Sequence, residues 1–299
     1  MRVLKPTKIT PALLASTTAT EAAADWVSGT TYAVGATVKR TTVQRLYRRV
    51  TAGAGTVAPE LDTATALPVW VDGGPTNDYG MFDVENYTVT TAGAALTVVL
   101  NLGFFNAVYL SGLLGTGLTV TVREAPGGAV IYTYTDALVS RVVNNWYDYF
   151  FAPFVQKKDL VLEGIPLSPT AQLTVAVTDA ATTACASLDV GSVFLFGTTE
   201  YGAKARLKSY STTKADVFGR LSTVKRYSAK TMTARVLMDL SNAIAAQAVL
   251  DELDAVNAVW IATTLDAYGP LRVRGLADGE ISFDLVNNCY LNLTVTGNI

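Results

Sequence analysis

The chain carries 25 carboxylates and two thiols but no imidazole. That inventory decides which chemistries are open to it. Without histidine there is no Ser–His or Cys–His nucleophile, no imidazole acid–base group and no histidine-ligated metal. A pair of carboxylates alone suffices to hydrolyse a glycoside, yet the Asp and Glu residues are scattered and form no recognisable catalytic constellation. Neither GxxxxGK followed by Ser or Thr nor a strand-linked GxGxxG occurs. Cys185 and Cys289 can make at most one bridge and read as buried thiols, not as a disulfide framework. The expectation is a protein that is not an enzyme and uses no cofactor and no metal.

What remains is binding chemistry. Trp26, Tyr32, Tyr47 and Trp70 recur over one short segment, and exposed rings of this kind stack on pyranose faces. A second aromatic concentration, WYDYFFAPF (146–154), reads either as a strand feeding the core or as a stacking platform, with packing the favoured reading. Between positions 204 and 230 the basic residues Lys204, Arg206, Lys208, Lys225 and Arg226 stand among few acids, the pattern of an electrostatic docking face for an acidic partner. The acidic run Asp251-Glu252-Leu253-Asp254 is a candidate counterpart. Net charge is −2, so no global basic field holds nucleic acid, and no nucleic-acid partner is expected.

The elements that must carry these groups are mainly β. In 299 residues, 50% hydrophobic and 16% charged, there is room for two or three domains and too little charge for disorder. Residues 1–24, with Pro6 and Pro11 and a Ser/Thr/Ala stretch, read as an extended N-terminal arm. Residues 25–77 read as a small β module in which Tyr32, Val34, Ala36 and Val38 share one face of a strand. Over 78–199, short Val-, Thr- and Tyr-rich runs separated by turn signals predict a jelly-roll-type β-sandwich. Residues 200–299 predict a β-rich domain with one helix at about 241–257, its apolar face formed by Ile244, Val249, Leu250, Leu253 and Val256 and its cap by Ser241 or Asn242. LRVRGLA and ISFDLV read there as two strands. No apolar run reaches the ~18–20 residues of a membrane span, and the N-terminal residues do not read as a signal peptide.

The spacing Trp26, Tyr32, Gly35, Val38, Tyr47, Trp70 resembles the small chitin- and cellulose-binding modules of chitinases. Where such modules carry a ligand ring shortly after the central Tyr, this chain has Arg48-Arg49-Val50. More broadly, the N-terminal segment, this module, GPTNDYGMFD (74–83), WYDYFF (146–151) and YSTTKADVFGRLSTVKRYS (210–228) resemble a family of tailed-bacteriophage structural proteins. The resemblance implies a virion component of the tail tip, baseplate or neck, made in the host cytoplasm. Its expected partners are other virion proteins, with assembly into a homo-oligomeric ring. The alternative it leaves open is an adsorption protein that holds a host-surface glycan.

Overall fold

The computed structural model describes residues 1–298 apart from 142 and 144, without the side chains of 266 and 267. The molecule is mainly β, 48% strand against 10% helix, as its β-branched and aromatic runs imply.

A five-stranded sheet runs in the order Val130–Ala137, Gly117–Arg123, Gln172–Thr178, Ala95–Asn101 and Leu14–Thr17. Its register shows why the alternating sequence forms it. Val177 lies between Leu96 and Leu118, Val175 between Val98 and Val120, and Leu173 between Leu100 and Val122. All nine are buried, each worth roughly 1.5–3 kcal/mol over its exposed state. The intervening residues, Thr97, Ala176 and Thr119 among them, face away, which is the period of two in a half-buried sheet.

The facing layer is part of a much larger sheet. Leu160–Glu163, Ala107–Ser111 and Ser187–Leu195 close the sandwich, and Val108, Leu110, Leu188 and Val190 enter its core. The same sheet then continues through Arg2–Pro6 into Ala258–Ile261, Arg272–Ser282, Asn288–Gly297 and Ser228–Asp239. Arg2–Pro6 is therefore the seam. Val3 pairs with Phe194 on one side and Trp260 on the other, and Leu4 with Val193 and Val259. Both residues are almost fully buried.

The arm expected over 1–24 is extended, but it lies in the chain's own sheets: one strand is this seam, and Leu14–Thr17 edges the five-stranded sheet. Buried Val3 and Leu4, on a strand with a neighbour on each side, hold it there. The seam also requires close backbone approach. A Cβ on Gly191 would fall 1.8 Å from the Lys5 carbonyl oxygen, so only glycine fits there.

The C-terminal helix is shorter than expected. It spans Ala243–Glu252 after a 3₁₀ turn at Leu240–Asn242, and Ala255 beyond it has φ +56°. Asn242 holds the cap position without a side-chain cap bond. The packed stripe is Ala243, Ala246, Val249 and Leu253, whereas Ile244 is 85% exposed. LRVRGLA and ISFDLV are not two strands, because Arg272–Ser282 runs unbroken to a turn at 283–287. In the small module the expected strand through Tyr32 and Val38 is broken at Gly35, φ +85°, into Thr31–Tyr32 and Thr37–Arg40.

Candidate functional site: a basic β arm and an exposed aromatic helix

The four aromatics of the small module form its core. Tyr47 and Trp70 are 3% and 1% exposed, and Trp26 and Tyr32 pack against them half-buried. Tyr32 meets Trp70 edge to face at 5.2 Å, and its hydroxyl donates to the Val27 carbonyl. Arg40 covers the Trp26 ring and Arg49 the Trp70 ring, each at 4.8 Å. All four rings thus have a packing role; Tyr47 and Trp70 present no ring face to a sugar, while Trp26 and Tyr32 keep part of theirs at the surface. A module whose main sheet has only four short strands needs these rings to close a core.

The basic segment does come together, as a projecting β arm. Lys204–Ser209 pairs with Ser228–Thr233 at the end of the long sheet, and beyond it Thr212–Ala215 pairs with Leu221–Val224. Every residue of Lys204–Ser209, Thr212–Ala215 and Leu221–Val224 is exposed. Strand alternation places Lys204, Arg206 and Lys208 on one face. Lys225 and Arg226 lie on the returning side, where the Arg226 amide donates to Ser211 Oγ at 3.0 Å. Lys230 at the base pairs with Asp159 at 3.3 Å. Among the described residues no carboxylate comes within ion-pair distance of the other basic side chains from Lys204 to Arg226. At the tip, Val217 and Phe218 are 94% and 84% exposed. Tyr227 stacks on Tyr87 at 4.6 Å and fixes the arm's root against the loop after the GPTNDYGMFD segment.

WYDYFF is a short helix, Trp146–Phe151, and not a strand. Its sequence held the signal: Asn145 caps it by accepting from the Asp148 amide at 2.8 Å. It buries none of its residues, and Trp146, Tyr147, Phe150 and Phe151 are each at least 65% exposed. The favoured packing reading is therefore corrected. The rings do not make a flat platform either: Trp146 and Tyr149 cross at 71°, Tyr149 and Phe150 at 88°, and Tyr147 and Phe151 at 36°.

GPTNDYGMFD is a staple. Asn77 Nδ2 donates to the carbonyls of Thr20 and Thr91, and its Oδ1 accepts from the Thr91 amide. The following loop is clamped by Arg274, which donates to the carbonyls of Asp83 and Val84 and to Asn86 Oδ1. Sequence reading missed Arg274 and its partner Asp189 because they lie 85 residues apart and no local pattern links them. The cavity beside them, about 280 Å³, has Lys158, Asp159, Lys230, Arg272 and Arg274 in its lining, of which Asp159 pairs with Lys230 and Arg274 with Asp189. Among the described residues no helix is long and apolar enough to cross a membrane.

Comparison with protein families, curated proteins and solved structures found no match for this chain.

Proposed function

We propose that this chain is a structural component of a phage virion, an adaptor of the tail tip, baseplate or neck that assembles through protein–protein contacts and performs no catalysis. The observation that carries the reading is the β arm at 204–228. A two-stranded ribbon with no core of its own is at best marginally stable in water, so its exposed apolar tip and unneutralised charge suit a neighbour that covers them. The resemblance of GPTNDYGMFD and YSTTKADVFGRLSTVKRYS to phage structural proteins supplies the setting. Mass spectrometry of purified virions from the phage that encodes the chain tests it: stoichiometric recovery is expected, and absence from the particle overturns the proposal.

The glycan-adsorption alternative now rests on the exposed rings at 146–151 and not on the 25–77 module. A glycan array with the full chain should show binding lost in Trp146→Ala if that reading holds; binding lost only in Trp70→Ala would return it to the module.

A further inference from the structure

We infer that copies of this chain join head to tail, the tip of the basic arm of one copy seating on the acidic turn at 283–287 of the next. This rests on the structural role proposed above and names the partner of the arm. The two surfaces lie at opposite ends of one strand. Ser228 pairs with Ser209 where the arm departs, and Asp239 pairs with Asn288 beside the turn, about 35 Å away by strand rise. An arm therefore cannot reach its own turn by continuing along its direction, but a second copy can present one to it.

The surfaces match in both polarity and charge. The arm tip offers Val217, Phe218 and Leu221, 94%, 84% and 74% exposed, with Lys214 and Arg220 beside them, Asp216 turned onto the Phe218 and Arg220 amides, and Lys225 and Arg226 further back along the same ribbon. The turn offers Phe283, Leu285 and Val286, 65%, 43% and 90% exposed, bordered by the exposed acids Asp239, Glu280 and Asp284. Arg235, on the strand that ends at Asp239, is occupied by Glu200 and by the ring of Tyr290. Apolar centres with charged rims of opposite sign are the anatomy of a specific contact.

Charge segregation over the whole chain points the same way. The segment 204–230 holds eight of the 23 basic residues and one acid, Asp216, which leaves 24 acids against 15 bases elsewhere. A second copy is thus an acidic body to the arm. Because the two surfaces differ, the contact is heterologous, and repeating it gives a ring where the rotation closes and a filament where it does not.

Sedimentation velocity of the full chain at about 50 and about 500 mM salt tests the contact. The wild type should form assemblies that shrink at high salt. K225E/R226E and D239K/D284K should each weaken association at least tenfold with unchanged circular dichroism. The fourfold variant, which swaps both signs in one chain, should regain it. A wild type that is monomeric at both salt concentrations, or a fourfold variant that stays dissociated, overturns the inference. Crosslinking in purified virions separates the two levels: an arm crosslinked to a different virion protein sinks the self-contact and leaves the structural role standing, whereas absence of the chain from virions sinks the role itself.

Discussion

Arg274 Nε donates to Asp189 Oδ2 at 2.8 Å, with the two side chains only 7% and 8% exposed. Burial pushes the Asp189 carboxyl above its ordinary range, and Arg274 offsets only part of that rise. The pair joins a strand of the sandwich to a strand of the C-terminal sheet across the seam, while the remaining Arg274 donors hold the loop at 83–86. Removing one partner leaves a buried charge uncompensated. Arg274→Met should lower unfolding stability by about 3–5 kcal/mol. The double variant with Asp189→Leu should recover most of that loss, as read from urea midpoints.

The seam gives a second expectation. In Gly191→Ala the new methyl collides with the Lys5 carbonyl, a backbone atom that no rotamer change can move. A loss of at least 1–3 kcal/mol is expected, the scale of overpacking in a closed core. Hydrogen exchange should locate it: the amides of residues 2–5 lose protection first, while those of Gln172–Thr178 in the five-stranded sheet keep theirs.

The aromatic helix predicts the opposite of a core. Alanine at Trp146, Phe150 and Phe151 removes rings that contact solvent, so stability should stay within about 0.5 kcal/mol of wild type for each. A loss of 3 kcal/mol in any of them, the scale of a buried aromatic, would show that the rings are packed after all.

Acid sensitivity should localise partly to the small module. Arg40 donates to Glu60 at 2.6 and 2.9 Å, and that hydrogen bond holds the carboxyl below its ordinary 4.5. A depressed carboxylate contributes stability that is full above the unfolded value and is lost as pH falls through the folded one. The pair lies at the surface, with 19% and 22% of its side chains still exposed, so its worth is only about 0.2–1 kcal/mol. Arg40→Gln should therefore destabilise the module slightly at neutral pH, and the difference should vanish in the acid range below 4.5, followed by Trp26 and Trp70 fluorescence.

Both thiols should be silent in the native protein. Cys185 and Cys289 are buried and unbridged, and burial pushes the Cys185 thiol up to about 12. Since the thiolate is the reacting form, Ellman's reagent at pH 8 should label neither until denaturant is added. Fast labelling of the folded chain would contradict their burial.

The sequence made some of this legible and hid the rest for identifiable reasons. ALTVVLN, GLTVTVR and QLTVAVT alternate cleanly, and each became a strand with its apolar parity in the core. The basic segment was visible from composition alone, because charge needs no partner to be counted. Tyr47 and Trp70 were visible as a constellation, but spacing does not distinguish a ring that packs from one that binds. Trp146–Phe151 was misread because six residues are too few to display a helical period. Arg2–Pro6 was misread because its neighbours begin at Ser187 and Ala258, and no local pattern announces a partner so far away.

That seam also sets a timetable for the growing chain. Residues 2–6 have no sheet to join until Ser187–Leu195 has been synthesised, and their second flank waits for Ala258–Ile261. At ribosomal rates this is on the order of ten seconds or more, during which an apolar Val3-Leu4 segment is held without its pairing. The sandwich can assemble in that interval, but the sheet that contains Ala258–Ile261 cannot be joined to it until that strand has emerged. Closing so long a loop is entropically slow. Residues 2–6 are thus among the last of these strands to be locked, although they are synthesised before both of their partners.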